Sequence, residues 1–167
     1  MVVLMSIKPK FSRLIFSGQK KYELRKTPIK NERDRLVIVY ESAPTKAIVC
    51  AFRIKKTLKQ SPTALWNILR HEIGISKGEF FRYFKERDWG YALKIDHPVL
   101  FKRRIPLEEL RTQNSAWRPP QNFQYLREDS EIFNLLKDEL FSVPFIRKKS
   151  DWRGKRTIEN LLNEYSM

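Results

Sequence analysis

One cysteine and two histidines in 167 residues leave several chemistries without their parts. Cys50 stands alone inside the apolar run Ile48-Val49-Cys50-Ala51-Phe52, so no intrachain disulfide forms and a reducing, cytoplasmic setting is expected. In that run it reads as a buried structural thiol rather than a nucleophile. His71 and His97 lie far apart, and with a single cysteine they complete none of the common zinc constellations, so neither metal nor cofactor is expected. No apolar run reaches the ~18 residues of a membrane-spanning helix. The start Met1-Val2-Val3-Leu4-Met5 is short and lacks the charged lead of a signal peptide, so no membrane partner is expected. Acidic residues are scarce as well: 19 Asp+Glu stand against 34 Lys+Arg, a formal net charge of +15. Such a surplus repels itself within a compact chain and favours anionic partners.

Apolar residues are plentiful. A hydrophobic share of 41%, with 13% aromatic, argues for a folded globule. The length suits one domain with a tail or subdomain. Aromatic and basic residues interleave at Trp117-Arg118, Phe145-Ile146-Arg147-Lys148-Lys149 and Trp152-Arg153. That pattern favours nucleic acid over a merely solvated basic surface.

Residues 2–6 suit a buried first strand. Lys8-Pro9 then opens a helix, since proline fits a first turn, and Phe11, Leu14 and Ile15 form one stripe ahead of a terminating Gly18. From Lys21 the period changes to two. Tyr22 and Leu24 face one way, Glu23 and Arg25 the other, and Lys20 has the wrong parity to join them unless a turn or bulge re-aims it. Residues 36–40 read as a central strand and residues 47–58 as a longer one. Ser61-Pro62 starts a helix up to Gly74, and Ser76 with Glu79 forms a capping box for the next. Residues 89–101 return to strand character, which His97-Pro98 interrupts. Pro106 opens a helical turn, and Trp117-Arg118-Pro119-Pro120 begins an ordered loop. Past Glu128 an acidic amphipathic helix precedes a basic stretch and a last helix. The expected division is a domain over 1–127 and a helical, charged extension over 128–167, in an α+β fold.

The segment Gly18-Gln19-Lys20-Lys21-Tyr22-Glu23-Leu24-Arg25 packs a turn glycine, a lysine, a carboxylate and an arginine into eight positions. Side chains so arranged bind a phosphate, orient a base edge or move a proton. Equally, Glu23 and Arg25 on one strand face pair with each other for about 0.2–1 kcal/mol and do nothing else.

These residues resemble the GxKxxExR signature of ASCH domains, a branch of the PUA-like superfamily. Ser6-Ile7-Lys8-Pro9, Val39-Tyr40-Glu41-Ser42-Ala43-Pro44, the block from Gly74-Ile75-Ser76 to Tyr83-Phe84, and residues 118–126 are similar to stand-alone prokaryotic members, over about residues 2–127. The resemblance implies a small mixed β-barrel of five or six strands with two or three packed helices. It also implies binding of RNA or a nucleotide-like ligand in a cleft beside the signature, in RNA metabolism or regulation. Some small relatives are described as ribonucleases or as amidohydrolases of modified nucleosides. The latter carry Thr where this chain has Glu23.

For binding, Arg25 offers a planar bidentate fork, while Lys20 and Lys21 offer point charge. Tyr40 or Trp117 is expected to stack a base, beside Arg118, whereas Trp66 and Trp89 read as core. Arg147, Lys148, Lys149 and Arg153 extend the electrostatic footprint along a backbone, or dock on the acidic 128–139 segment. For catalysis, a metal-independent hydrolase would use Glu23 as general base, with Lys20 and Arg25 stabilising developing negative charge. A third reading is a protein–protein regulator acting through the extension. The first two require the three signature side chains to line an open cavity.

Overall fold

Alternation along the first strand, β1 (Val2–Ile7), sets the architecture: Val2 and Leu4 join one hydrophobic cluster, and Val3, Met5 and Ile7 join another. A strand buried on both faces must be central. In the computed structural model, which describes residues 2–30 and 35–141, β1 indeed lies inside the sheet. The chain continues through α1 (Pro9–Phe16), β2 (Tyr22–Arg25), β3 (Arg35–Glu41), β4 (Ala47–Gln60), α2 (Pro62–Leu69) and α3 (Lys77–Tyr83). It then forms β5 (Gly90–Pro106), α4 (Leu107–Gln113), β6 (Phe123–Leu126) and α5 (Glu131–Phe141). Six strands in the order β2-β5-β4-β3-β1-β6 make one mixed sheet curled into a half-barrel. The neighbours β1 and β3 run parallel, and the other neighbouring strands of this sheet pair antiparallel.

Among the described residues four helices precede residue 127, where the resemblance implies two or three, because the turn at Pro106 continues into α4. Local chemistry explains the helix ends. Ser61 caps α2 by accepting from the Ala64 N–H, and Ser76 and Glu79 form the reciprocal capping box of α3. The first helix ends at Gly18, whose φ of 74° is a left-handed conformation that favours glycine. The expected break at His97-Pro98 is a local irregularity. The strand β5 runs through it, His97 takes φ of 47°, and the register with β4 shifts between Ala51 and Arg53. No helix among the described residues is long and apolar enough to cross a membrane.

Three clusters build the core. One face of the sheet packs Leu36, Ile38 and Ile105 beneath α4 and α5, including Ile132, Phe133, Leu136 and Leu140. The other face holds Met5, Val39, Phe52 and Leu93 with Ile15 of α1. The third packs Leu65, Ile73, Phe80 and Phe84 from the α2–α3 region against Tyr22, Leu24 and Ala92. Residues 131–141 thus cover the sheet directly. Phe133 is 1% exposed, so Phe133→Ala should lower the unfolding free energy by about 3–5 kcal/mol, read from the urea midpoint. A decrease below ~1 kcal/mol would show that α5 does not cover this face.

Candidate functional site

After Gly18 reverses the chain, the Lys20 N–H donates to the Leu14 carbonyl at 2.9 Å, which draws Lys20 back beneath α1. The turn, rather than a bulge, overcomes the parity mismatch. Lys20 is 3% exposed. Its Nζ donates to the Ile73 carbonyl at 3.0 Å, meets Glu23 Oε2 at 3.3 Å and lies 5.3 Å from the Phe11 ring centroid. Gly74 completes this wall with φ of 62°, and a Cβ there would stand 2.9 Å from Leu14 Cδ1 and 3.3 Å from Lys20 Cβ.

The other oxygen of Glu23, Oε1, pairs with Arg25 Nη2 at 2.8 Å. Both residues are buried. One carboxylate therefore stands between two buried cations. Arg25 then reaches across the open side of the half-barrel. Its Nη1 donates to Asn122 Oδ1 at 2.9 Å and its Nη2 to the Ser6 carbonyl at 3.2 Å. Asn122 in turn donates to Thr27 Oγ1 at 3.0 Å, and Ser6 Oγ donates to the Pro120 carbonyl at 2.6 Å. Thus β1, β2 and the 120–122 segment are tied together by one guanidinium and its partners.

A cavity of about 810 Å³ opens beside this network. Lys20, Glu23 and Arg25 line it together with Ser6, Lys8, Lys10, Phe11, Tyr40, Ser42, Lys46, Glu79, Arg82, Tyr83 and residues 119–121. The three side chains border this cavity, yet they are buried and paired with one another. Around the mouth, Lys8, Lys10, Lys46 and Arg82 are exposed. Lys10 pairs with Glu79 at 2.8 Å; with Ser76 also donating, the Glu79 carboxyl is held down at about 2. Lys8, Lys46 and Arg82 have no ion-pair partner among the described residues. The half-buried Tyr83 donates to the Leu24 carbonyl at 3.3 Å, and burial pushes its phenol upward.

Other expected site residues fall elsewhere. Lys21 is exposed and pairs with Glu72 at 2.8 Å, away from the cavity. Tyr40 is 2% exposed and borders the cavity, but Trp117 packs edge-on against it at 5.9 Å between centroids and is itself 8% exposed. Of the two rings expected to stack a base, Tyr40 or Trp117, the latter is sunk in the cluster beneath α4 and α5. Arg118 is exposed beside it and donates to the Trp117 carbonyl at 3.3 Å. Trp66 packs on Phe80 as expected, whereas Trp89, read as core, is 52% exposed. Arg147, Lys148, Lys149 and Arg153 lie outside the described residues. The sequence reading missed Lys8, Lys46 and Arg82 as mouth cations. Lys8 and Lys46 flank the β1–α1 and β3–β4 turns, a position that marks loops gathered at one end of a barrel.

Burial pushes the Lys20 ammonium below its ordinary 10.5, with Arg25 adding to the fall and Glu23 opposing it. The unfolded chain keeps that proton up to about 10.5 while the folded site releases it earlier. Between those values the unfolded state binds more protons, and Lys20's contribution to stability rises with pH. Glu23→Gln should lower the Lys20 titration further, as followed by the Nζ resonance in NMR. It should also remove about 3–5 kcal/mol of stability by leaving two buried cations without their carboxylate. A Lys20 that titrates at or above its ordinary value in the variant would contradict this arrangement.

The sequence profile of the ASCH domain matches residues 5–99. Among curated proteins the chain is similar to an "ASCH domain-containing ribonuclease" of Zymomonas mobilis subsp. mobilis. The two are 23% identical over 128 residues, 75% of this chain and 84% of that protein. It is also similar to the large ribosomal subunit protein uL22 of Ureaplasma parvum serovar 3, at 25% identity over 127 residues. That match spans 75% of this chain but only 39% of the longer protein. The fold is similar to the crystal structure of ASCH from Zymomonas mobilis, with a TM-score of 0.73 and 22% identity, covering 81% of this chain and 93% of that one. Two variants of that protein give TM-scores of 0.72. With a profile match over more than half its length, this chain belongs to the ASCH domain family.

Proposed function

We propose that this ASCH-domain protein binds RNA, taking a nucleotide into the cavity beside Lys20, Glu23 and Arg25 while the cations of the mouth meet the phosphates. The observation that carries this reading is the division of charge. In the floor, Glu23 contacts both Lys20 and Arg25, so those charges already have a partner. At the mouth, Lys8 of the β1–α1 junction, Lys46 of the β3–β4 turn and Arg82 of α3 are uncommitted among the described residues. An incoming phosphate therefore gains most from the mouth, where the cations are hydrated and ready to exchange counterions. The Phe11 and Tyr83 side chains supply apolar wall for a base. Such a role suits an RNA-related family and a chain of net charge +15.

A second reading has one specific support, the relative named a ribonuclease. In a metal-independent hydrolysis in the same cavity, the mouth cations would stabilise the negative charge on the oxygens of the pentacoordinate phosphorus. Glu23 suits the general-base role poorly. Its Oε1 is held by Arg25 at 2.8 Å and its Oε2 faces Lys20 at 3.3 Å, so taking up a proton would weaken two buried ion pairs. Its role in either reading is to hold the floor.

Binding of labelled single-stranded RNA should weaken linearly on a log–log plot of affinity against salt. The combined change of Lys8, Lys46 and Arg82 to alanine should reduce the slope by about 0.7 for each phosphate left unneutralised. Affinity independent of salt, or a variant with unchanged slope, would refute the assignment. RNA cleavage in EDTA that disappears in the same variant would favour the hydrolase.

A further inference from the structure

The face that carries Glu23 and Arg25 does not end at the cavity. Across the β2–β5 ladder, Glu23 lies opposite Leu93 and Arg25 opposite Tyr91. Across β5–β4, Tyr91 lies opposite Lys59. The alternation of β5 fixes which residues share this face. Ala92 joins the cluster beneath α2 and α3, and a Cβ on Gly90 would strike Phe84 and Leu65 there. Tyr91 therefore turns the other way, towards the Arg25 side, and Lys59 opposite it shares that side. Tyr91 sits about 5 Å from Arg25 across the ladder, and Trp89 just precedes β5. Lys59 Nζ lies 5.1 Å from the Trp89 ring centroid.

Trp89 keeps 52% of its surface in solvent, an unusual setting for the largest apolar side chain. Lys59 covers the ring. Arg87 is exposed close by in sequence, against Asp88 and a Glu86 that contacts Lys85 at 3.6 Å. A cation held over an exposed indole, with a half-buried tyrosine between it and the cavity, is the composition of a stacking platform for single-stranded nucleic acid.

Building on the proposed function, the geometry points to a second RNA contact outside the cavity: a base of the strand leaving the cavity stacks on Trp89, and Lys59 meets an adjoining phosphate. The Arg25–Tyr91–Lys59 row joins the two sites across three neighbouring strands. The cavity grips one nucleotide, and the platform sets the direction of the strand beyond it.

The test compares wild type, Trp89→Ala and Trp89→Phe with two 2′-O-methylated probes, which resist cleavage through the 2′-hydroxyl. One is a uridine dinucleotide and the other an oligouridylate of about twelve nucleotides. Trp89→Ala should bind the longer probe on the order of tenfold more weakly, bind the dinucleotide as wild type does, and keep its thermal midpoint. Trp89→Phe should recover most of the affinity. Absence of dinucleotide binding in all three proteins, with Trp89-dependent binding of the longer probe, would support the platform and count against the cavity reading. Equal affinity of wild type and Trp89→Ala for the longer probe overturns the platform. It does so equally if light scattering shows that the variant no longer self-associates as wild type does, which would make the patch an interface between copies. An equal weakening for both probes with a lowered midpoint also overturns it, since Trp89 would then be structural.

Discussion

A single carboxylate holds the cavity end of this molecule together. Glu23 faces Lys20 on one side and Arg25 on the other, and each of these cations fastens a different part of the chain. Lys20 secures the reversal after α1 and the Ile73 carbonyl, while Arg25 secures β1 and the segment at Asn122. Without the carboxylate, two like charges would remain in a region where burial has stripped their water, and desolvation alone costs several kcal/mol per ion. A buried ion triad is a weak source of net stability. Its consequence is geometric: the three side chains have one low-energy arrangement, and the cavity wall inherits it.

This changes what the signature means. Spacing alone suggests that Lys20, Glu23 and Arg25 meet the ligand as free groups. In the folded chain they form a charge-compensated floor, and on the proposed reading the attraction for an anion falls to Lys8, Lys46 and Arg82 at the mouth. Those three lie in the β1–α1 junction, the β3–β4 turn and α3, so the site is assembled by tertiary structure from elements remote in sequence. The long-range field of a strongly basic chain can bring a polyanion near. Local uncommitted cations then decide where it lands.

Much of the fold was legible because it rests on local rules. The stripe of α1, Gly18 as its terminator, the capping box at Ser76 and the two-sided apolar run of β3 all act over a few residues. The pairing order of the strands is non-local, and only the resemblance to ASCH domains supplied the barrel. The aromatic residues show the same limit. Trp66 sits on a helix whose period forecasts burial, whereas Trp117 and Trp89 occupy irregular segments, where no period tells inside from outside. Their expected roles were accordingly exchanged, Trp117 being buried and Trp89 exposed. Lys20 was legible as a residue needing a turn, but its partner Ile73 was not, since a backbone carbonyl leaves no trace in residue identity.

The open side of the half-barrel explains why these features gather where they do. The edge strands β2 and β6 are not neighbours in the sheet, so no backbone ladder joins them. Side chains bridge the gap instead, through Arg25 to Asn122, Asn122 to Thr27, and the Lys30 N–H donating to Tyr125 Oη at 2.8 Å. A continuous ladder would fix the two edges at about 4.8 Å and close the barrel over its contents. Bridges of longer reach leave room for a cavity between the edges while still supplying partners for buried polar groups. The row from Arg25 through Tyr91 to Lys59 starts at this same edge, on β2, and runs inward across β5 to β4. The seam is thus at once the weakest closure of the sheet and the place where its charged interior meets solvent.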